Sequence, residues 1–188
     1  MTILPIDELN ALRDGLSIHF ENGRIRSKKD RDEIKGDLFD LFLLAYAYGT
    51  EAANTDLATD IRPKRDRVEQ SVNAEVAGET WSQRVDKYYE SGGSEYDILR
   101  IAETDMTRIY NTAVLDVADA VASGTVMKRW VTMADDRVRD QHSYLEGMEV
   151  PYNSDFYTYT GDHARAPGLF SDPALNINCR CTLELFRA

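Results

Sequence analysis

The side chains best suited to chemistry lie late in the chain: the imidazole of His142 and the thiols of Cys179 and Cys181. Such a set suits Zn²⁺, which takes thiolate sulfur and imidazole nitrogen in a tetrahedron. A zinc deaminase would need His-x-Glu and a later Pro-Cys-x-x-Cys, with the glutamate shuttling the proton. Here Glu146 stands four residues after His142, and one residue separates the cysteines, so that spacing fails. A thiol hydrolase needs one activated cysteine beside an imidazole. Either cysteine fits on paper, but both sit on an apolar strand face where burial is expected. Cysteines at i and i+2 of an extended segment are held too far apart to close a disulfide readily, so no disulfide framework is expected. The glycine-containing run Ser91-Gly92-Gly93-Ser94 lacks the lysine and the preceding strand of a phosphate-binding loop.

The elements carrying these groups can be read from periodicity. Asp135 or Asp136 is placed to cap a short helix that Gly147 ends. Capping by Asp136 would be worth roughly 1 kcal/mol. Val138, His142 and Leu145 then share one face, and two apolar members of the three turn His142 inward. Residues 179–186 read as the closing strand, with Cys179, Cys181, Leu183 and Leu185 on one face and Arg180, Thr182 and Glu184 on the other. If helix and strand pack together, His142 meets both cysteines. Two readings stand. In one, His142, Cys179 and Cys181 bind zinc, with Asp136, His163 or water as the fourth ligand. In the other there is no cofactor: His142 is a hydrogen-bonded core residue, the cysteines act as small hydrophobes, and Arg139 pairs with Asp135 or Asp136.

Upstream, the chain reads as helices. Residues 30–53 place Ile34, Leu38, Leu41, Phe42, Ala45 and Tyr48 at helical spacing, with Gly49 a potential interruption. A second helix is expected after Pro63, a residue suited to the first helical position. It would carry Val68, Val72, Val76, Trp81, Val85 and Tyr88 past a weak point at Gly78. The run Ser91-Gly92-Gly93-Ser94 is a break, and Ser94 with Asp97 reads as a capping box. The next helix is the best defined: Leu99, Ala102, Met106, Ile109, Ala113, Val117 and Ala120 follow steps of three and four, and Gly124 suits the position after its end. Its other face, with Glu103, Thr104, Arg108, Asn111 and Asp119, reads as solvated, with Glu103, Thr104 and Arg108 as candidate partner contacts. Residues 126–133 then read as a strand anchored in the core by Trp130, 148–151 as a second strand, and 152–177 as a long ordered loop, a length typical of docking or functional loops.

Composition narrows the class. The chain has 188 residues and a net charge of −11. Neither half is basic. The small clusters Arg24, Arg26, Lys28, Lys29, Arg31 and Arg62, Lys64, Arg65, Arg67 lie among acids, unlike the concentrated Lys/Arg surface of a protein that neutralises phosphates. Sequence-specific DNA binding is not expected. No apolar run approaches the ~20 residues of a membrane span, and the first residues lack the features of a signal peptide. Synthesis in a cytosol is the expectation.

Three stretches occur in a telling order: Ile101-Ala-Glu-Thr-Asp-Met-Thr-Arg-Ile-Tyr-Asn; then Lys128-Arg-Trp-Val-Thr-Met-Ala-Asp-Asp-Arg-Val-Arg-Asp-Gln-His-Ser-Tyr-Leu-Glu-Gly; then Asn178-Cys-Arg-Cys-Thr-Leu. The ordered set, over residues 96–185, resembles the phage Mu F-like / SPP1 gp7-like minor head proteins of head morphogenesis. The motif positions are Trp130, Asp136, Arg137, Arg139, His142, Gly147, Asn178, Cys179, Arg180 and Cys181. Some relatives carry Cys-x-x-Cys where this chain has Arg139 and His142, and an arginine cannot ligate zinc.

The resemblance implies a non-enzymatic minor capsid protein that acts in capsid assembly at the inside of the portal vertex. It would assemble in the host cytoplasm and reside in the virion interior. Its implied contacts are the portal protein, other head proteins and packaged DNA, and no membrane. Two alternatives remain: an interaction module delivering a prophage-derived secretion or toxin system, and a small zinc-dependent enzyme. Some relatives carry a toxin or ADP-ribosyltransferase domain after this module, and none is expected in 188 residues. The fold expected is α+β: a helical arm or bundle over 1–93, a connecting helix over 94–125, and a module of short strands, one helix and a long ordered loop over 126–188.

Overall fold

The computed structural model describes residues 4–121 and 125–188; the position of Gly124 falls outside them. The fold is α+β, with helices first and short strands after them. Helix α1 (Ile6–Leu16) leads through a single 3-10 turn into a small hairpin, β1 (Phe20–Glu21) and β2 (Arg24–Ile25). Helix α2 (Lys28–Leu57) follows. Its start is set by Ser27, whose hydroxyl accepts from the Asp30 amide, satisfying one of the free N–H groups of a first turn. Gly49 does not interrupt this helix. It lets the helix approach α5 (Glu95–Val121), because a Cβ there would lie 2.3 Å from the Tyr110 carbonyl oxygen.

The helix expected after Pro63 forms as two pieces, α3 (Arg65–Val72) and α4 (Trp81–Ser91). Between them Val76 and Glu79 exchange backbone hydrogen bonds across a tight turn, with Ala77 at φ 55° and Gly78 at φ 83°. Two successive left-handed residues cannot belong to a right-handed helix. Helix α4 begins at a complete capping box between Thr80 and Gln83 and seats Trp81 edge-on to Phe42 at 5.4 Å between ring centres. Ahead of α5, the Ser94 amide and hydroxyl both donate to the Asp97 carboxylate at 2.9 Å.

Helix α5 is central. Every residue from Ile101 to Asn111 is buried, the polar ones included. The chain then forms β3 (Val126–Val131), α6 (Asp140–Leu145) and β4 (Glu149–Pro151). The 152–177 stretch is less irregular than its sequence suggests. It holds a hairpin of β5 (Phe156–Tyr157) and β6 (His163–Ala164) and one helical turn, α7 (Pro173–Asn176), capped by Asp172. The last strand, β7 (Thr182–Arg187), starts after the cysteines rather than with them. The sheet order is β4-β3-β7, antiparallel throughout, with Trp130 opposite Leu183 and Lys128 opposite Leu185.

A single apolar core joins the helices to the sheet, running from Leu38, Phe42 and Ala45 through Met106 and Ile109 to Trp130, Leu183 and Leu185. No helix among the described residues is long and apolar enough to cross a membrane.

Candidate functional site

The polar face of α5 is the first surprise in the site. Glu103, Thr104, Arg108 and Asn111 are all buried, with exposures of 8, 3, 5 and 0%. The solvated or partner-facing role expected for Glu103, Thr104 and Arg108 is therefore corrected: the chain's own elements cover that face, with the C-terminal segment lying on Thr104 and Asn111. The Asn178 amide donates to Thr104 Oγ1 at 3.1 Å, and Thr107 Oγ1 donates to the Cys179 carbonyl at 2.5 Å. Asn111 closes the set. Its Nδ2 donates to the Cys181 carbonyl at 3.0 Å, and its Oδ1 accepts from the Leu183 amide at 2.9 Å. From α2, Asp56 accepts from the Leu185 amide at 2.9 Å; burial raises the Asp56 pKa against that bond.

The physical logic is that of a covered sheet edge. β7 pairs with β3 on one side only, so alternate backbone groups on its other side would be left without partners. Buried, each would be expensive. Asn111 of α5 and Asp56 of α2 supply such partners to Leu183 and Leu185, and Thr104 and Thr107, on the same α5 stripe as Asn111, serve Asn178 and Cys179 just before the strand. Thr107 and Asp56 are functional in this sense and were not singled out from sequence, while Asn111 was assigned to the wrong environment. The step from Thr104 to Thr107 to Asn111 was the available signal.

A second buried network ties the helices together. Asp105, wholly buried, accepts from Arg84 at 2.6 Å and from Arg108 at 3.2 Å, while Arg108 also donates to the Ser71 carbonyl at 2.9 Å. Burial lowers the Arg108 pKa, with Asp105 acting against it. Glu103 pairs with Arg13 at 3.2 Å and Arg137 at 3.9 Å. The long loop reaches the same helix at Gly168, whose φ of 82° and 3.0 Å approach to the Arg108 Cα exclude a side chain.

Opposite this stripe stands the sulfur–imidazole cluster. The structure brings His142, Cys179 and Cys181 together, all buried, with His142 Nδ1 3.6 Å from each sulfur. The imidazole stacks on Phe170 (centres 5.6 Å apart) and meets Trp130 edge-on at 5.5 Å. Trp130 is fully buried and also packs against Phe156 at 5.3 Å. His142 Nε2 and Asn178 Oδ1 find no hydrogen-bond partner among the described residues. A hydrogen bond from the Cys181 thiol, with help from His142, holds Cys179 well below the usual thiol range despite burial. Its neighbour Cys179, together with burial, pushes Cys181 up. The two cysteines are not joined by a disulfide.

Several neighbours differ from expectation. Helix α6 starts at Asp140, after Arg139 at the N-cap position, and that residue makes no side-chain cap. Asp136 is exposed in the preceding turn, so its capping role is corrected; the Asp135 carboxylate there accepts from the Arg137 amide at 3.1 Å. Three acids within Asp135–Asp140 made the start ambiguous. Asp135 pairs with Arg180 through two 2.8 Å bonds, which lowers the Asp135 pKa and raises that of Arg180. Arg139 pairs with neither acid proposed for it and donates to the Ile177 carbonyl. Neither Asp136 nor His163 belongs to the sulfur cluster; His163 pairs with Asp155 at 2.8 Å on the β5–β6 hairpin. Gly147 ends the helical turn with φ 70° and donates its amide to the Trp130 carbonyl at 2.9 Å.

Lys128 lies fully buried on the motif strand, donating to the Arg165 carbonyl at 2.6 Å and lying 5.2 Å over the Phe156 ring. Burial, with Arg165 nearby, lowers its pKa to about 7. The cavity lined by His142, Asn178, Cys179 and Cys181 is only ≈ 10 Å³, room for about one small guest.

The family model described as "Phage Mu protein F like protein" matches residues 64–184, which include α5, β3, α6 and the cysteines. A curated relative, "NAD(+)--arginine ADP-ribosyltransferase EFV" of Enterococcus faecalis, is 33% identical over 95 residues, covering 50% of this chain. The matched stretch spans only 19% of that relative's length. No solved structure matches.

Proposed function

Because the chain belongs to the phage Mu protein F like family and is thereby a phage head protein, we propose that it acts as a non-enzymatic minor component in capsid assembly, at the inside of the portal vertex. The observation that carries the reading is the family match over residues 64–184, which contains the ladder from α5 to the C-terminal segment. The motif residues are spent on holding the chain together: Thr104, Thr107 and Asn111 pin the backbone from Asn178 to Leu183. A polar face used this way is a structural brace. The ≈ 10 Å³ cavity beside the sulfur–imidazole cluster leaves no room for a substrate at that cluster.

Charge favours protein partners over DNA. The net charge is −11, and the basic residues are largely engaged: Arg67 with Asp116, Arg65 with Glu69, Arg26 with Asp30, Arg31 with Asp32 and Asp86. Phosphate neutralisation needs free clustered cations. Any charge-guided partner surface on the portal or a head protein should therefore be basic.

A second reading has its own observation. The relative named as an ADP-ribosyltransferase aligns with this chain over 95 residues at 33% identity, which supports the same module serving to deliver a toxin. On that reading the shared stretch is the carrier rather than the catalyst. Mass spectrometry of purified particles, with a pull-down on the portal protein, tests the first reading. The chain should be found in mature or intermediate particles and be retained on portal. Absence from particles at every stage of assembly overturns it. Transfer of labelled NAD⁺ ADP-ribose by the purified chain would overturn the non-enzymatic assignment.

A further inference from the structure

The sulfur–imidazole cluster has a geometry that matches metal coordination as well as hydrogen bonding. His142 Nδ1 stands 3.6 Å from Cys179 Sγ and 3.6 Å from Cys181 Sγ. One ring nitrogen carries either one hydrogen or one lone pair, so it can make one good bond to one of the two sulfurs. Equal spacing to both fits a common central atom. For zinc bonds of about 2.3 Å to sulfur and 2.0–2.1 Å to nitrogen, the N···S edge of a tetrahedron is about 3.6 Å.

We propose that His142 Nδ1, Cys179 Sγ and Cys181 Sγ bind one thiophilic d¹⁰ cation, zinc in a cell, with Asn178 Oδ1 closing the fourth position. Asn178 enters on two observations. Its Oδ1 is buried without a hydrogen-bond partner among the described residues, and Asn178 lines the same ≈ 10 Å³ cavity as the three ligands. A buried carbonyl oxygen left unpaired carries a desolvation penalty that a cation would remove. Asn178 also adopts φ 54°, a conformation asparagine tolerates better than most residues, and this accounts for the residue type but not for where its oxygen points. Two thiolates and a dication sum to zero charge. Of the three arginines lining the cavity, Arg180 pairs with Asp135, Arg137 with Glu103, and Arg139 donates to the Ile177 carbonyl, so two of the three positive charges are offset by acids. The aromatic wall of Trp130 and Phe170 fixes the ring plane. The ion would act as a staple between α6 and the C-terminal segment, with no open position for catalysis. The inference does not depend on the head-protein reading, and either can fail without the other.

The test uses the full-length chain, purified without chelator from zinc-supplemented cells. Elemental analysis should give about one zinc per chain. After removal of zinc, Co²⁺ titration should produce tetrahedral d–d absorption together with near-ultraviolet thiolate-to-metal bands. Cys181→Ser and Cys179→Ser should each abolish the thiolate pattern of the wild type and lower zinc to under about a tenth of an equivalent, while far-ultraviolet circular dichroism stays native. Asn178→Ala should weaken zinc affinity at least tenfold while preserving the sulfur bands. Wild-type protein equilibrated with micromolar zinc yet carrying under about a tenth of an equivalent overturns the proposal. So does Co²⁺ binding without thiolate bands, a reading on wild type that stands even if a cysteine variant fails to fold.

Discussion

Replacing Asn111 by alanine tests whether the buried face of α5 braces the C-terminal segment. Asn111 is fully buried, and its side chain bonds the Cys181 carbonyl, the Leu183 amide and the Thr107 carbonyl. The Thr107 carbonyl also lies within the helical hydrogen-bond ladder, so the loss falls on the other two groups. A buried backbone group stripped of its partner costs roughly 1–3 kcal/mol. Two such groups give about 2–5 kcal/mol, allowing for partial relaxation of the segment. Against a total stability of about 5–15 kcal/mol for a domain, that is a large fraction. At roughly 2–4 °C per kcal/mol for a chain of this size, the melting temperature should fall by about 5–15 °C. Urea unfolding followed by tryptophan fluorescence measures the change in midpoint, with an unchanged slope confirming that stability alone has moved. Amide exchange at Leu183 gives a local reading: it should accelerate in Asn111→Ala more than exchange at Met106, which lies one turn earlier in α5. A midpoint within about 0.5 kcal/mol of wild type, or uniform acceleration at both sites, would refute the brace.

Further outcomes follow from the same geometry. Trp130→Ala removes a fully buried indole packed on His142, Phe156 and Phe170, and should destabilise by ~3–5 kcal/mol in urea titration; a near-native midpoint contradicts its core position. Gly49→Ala should destabilise despite alanine's better helix propensity, because its Cβ would sit 2.3 Å from the Tyr110 carbonyl oxygen; a raised melting temperature would show that α2 and α5 can part freely. Lys128 has a folded pKa of about 7 against 10.5 when free, so between those values the unfolded chain binds the extra proton and stability rises with pH. The penalty for burying the charge, on the order of a few kcal/mol, is complete below about pH 7 and fades towards pH 10.5. Lys128→Met should therefore have a smaller rise in stability than wild type between pH 6.5 and 9, read from urea midpoints, and parallel profiles would refute the lysine's part in it.

Much of this architecture is legible in the sequence, and the misreadings share a cause. The period of α5 is plain from Leu99, Ala102, Met106 and Ile109, and its apolar face is buried for the most part. Periodicity separates polar from apolar residues; it does not distinguish water from a backbone strand as the partner of the polar ones. Thr104, Thr107 and Asn111 therefore resemble a wet face until the segment from Asn178 to Leu183 is laid on them. Glycine is ambiguous in the same way. Gly49 permits close helix packing, whereas Gly78 supplies a left-handed turn that splits α3 from α4, and nothing local to either position says which. The meeting of His142 with the cysteines followed from two faces, Val138/His142/Leu145 and Cys179/Cys181/Leu183/Leu185. It survived an error in the start of α6 because His142 and Leu145 keep their spacing in the shorter helix. The β5–β6 hairpin pairs only two residues on each strand, too short a run for alternation to show.

The arrangement also bears on how the module is specified. Its polar residues act mainly on the module's own backbone. Arg84 and Arg108 meet on Asp105, Arg108 continues to Ser71, and the α5 ladder holds the final strand. Buried charge networks of this kind are costly to break, since removing one member strands another, while their contribution to net stability can be small. They specify which pieces meet. Contacts directed inward in this way leave the surface free to vary with the partner, provided the final segment still reaches α5.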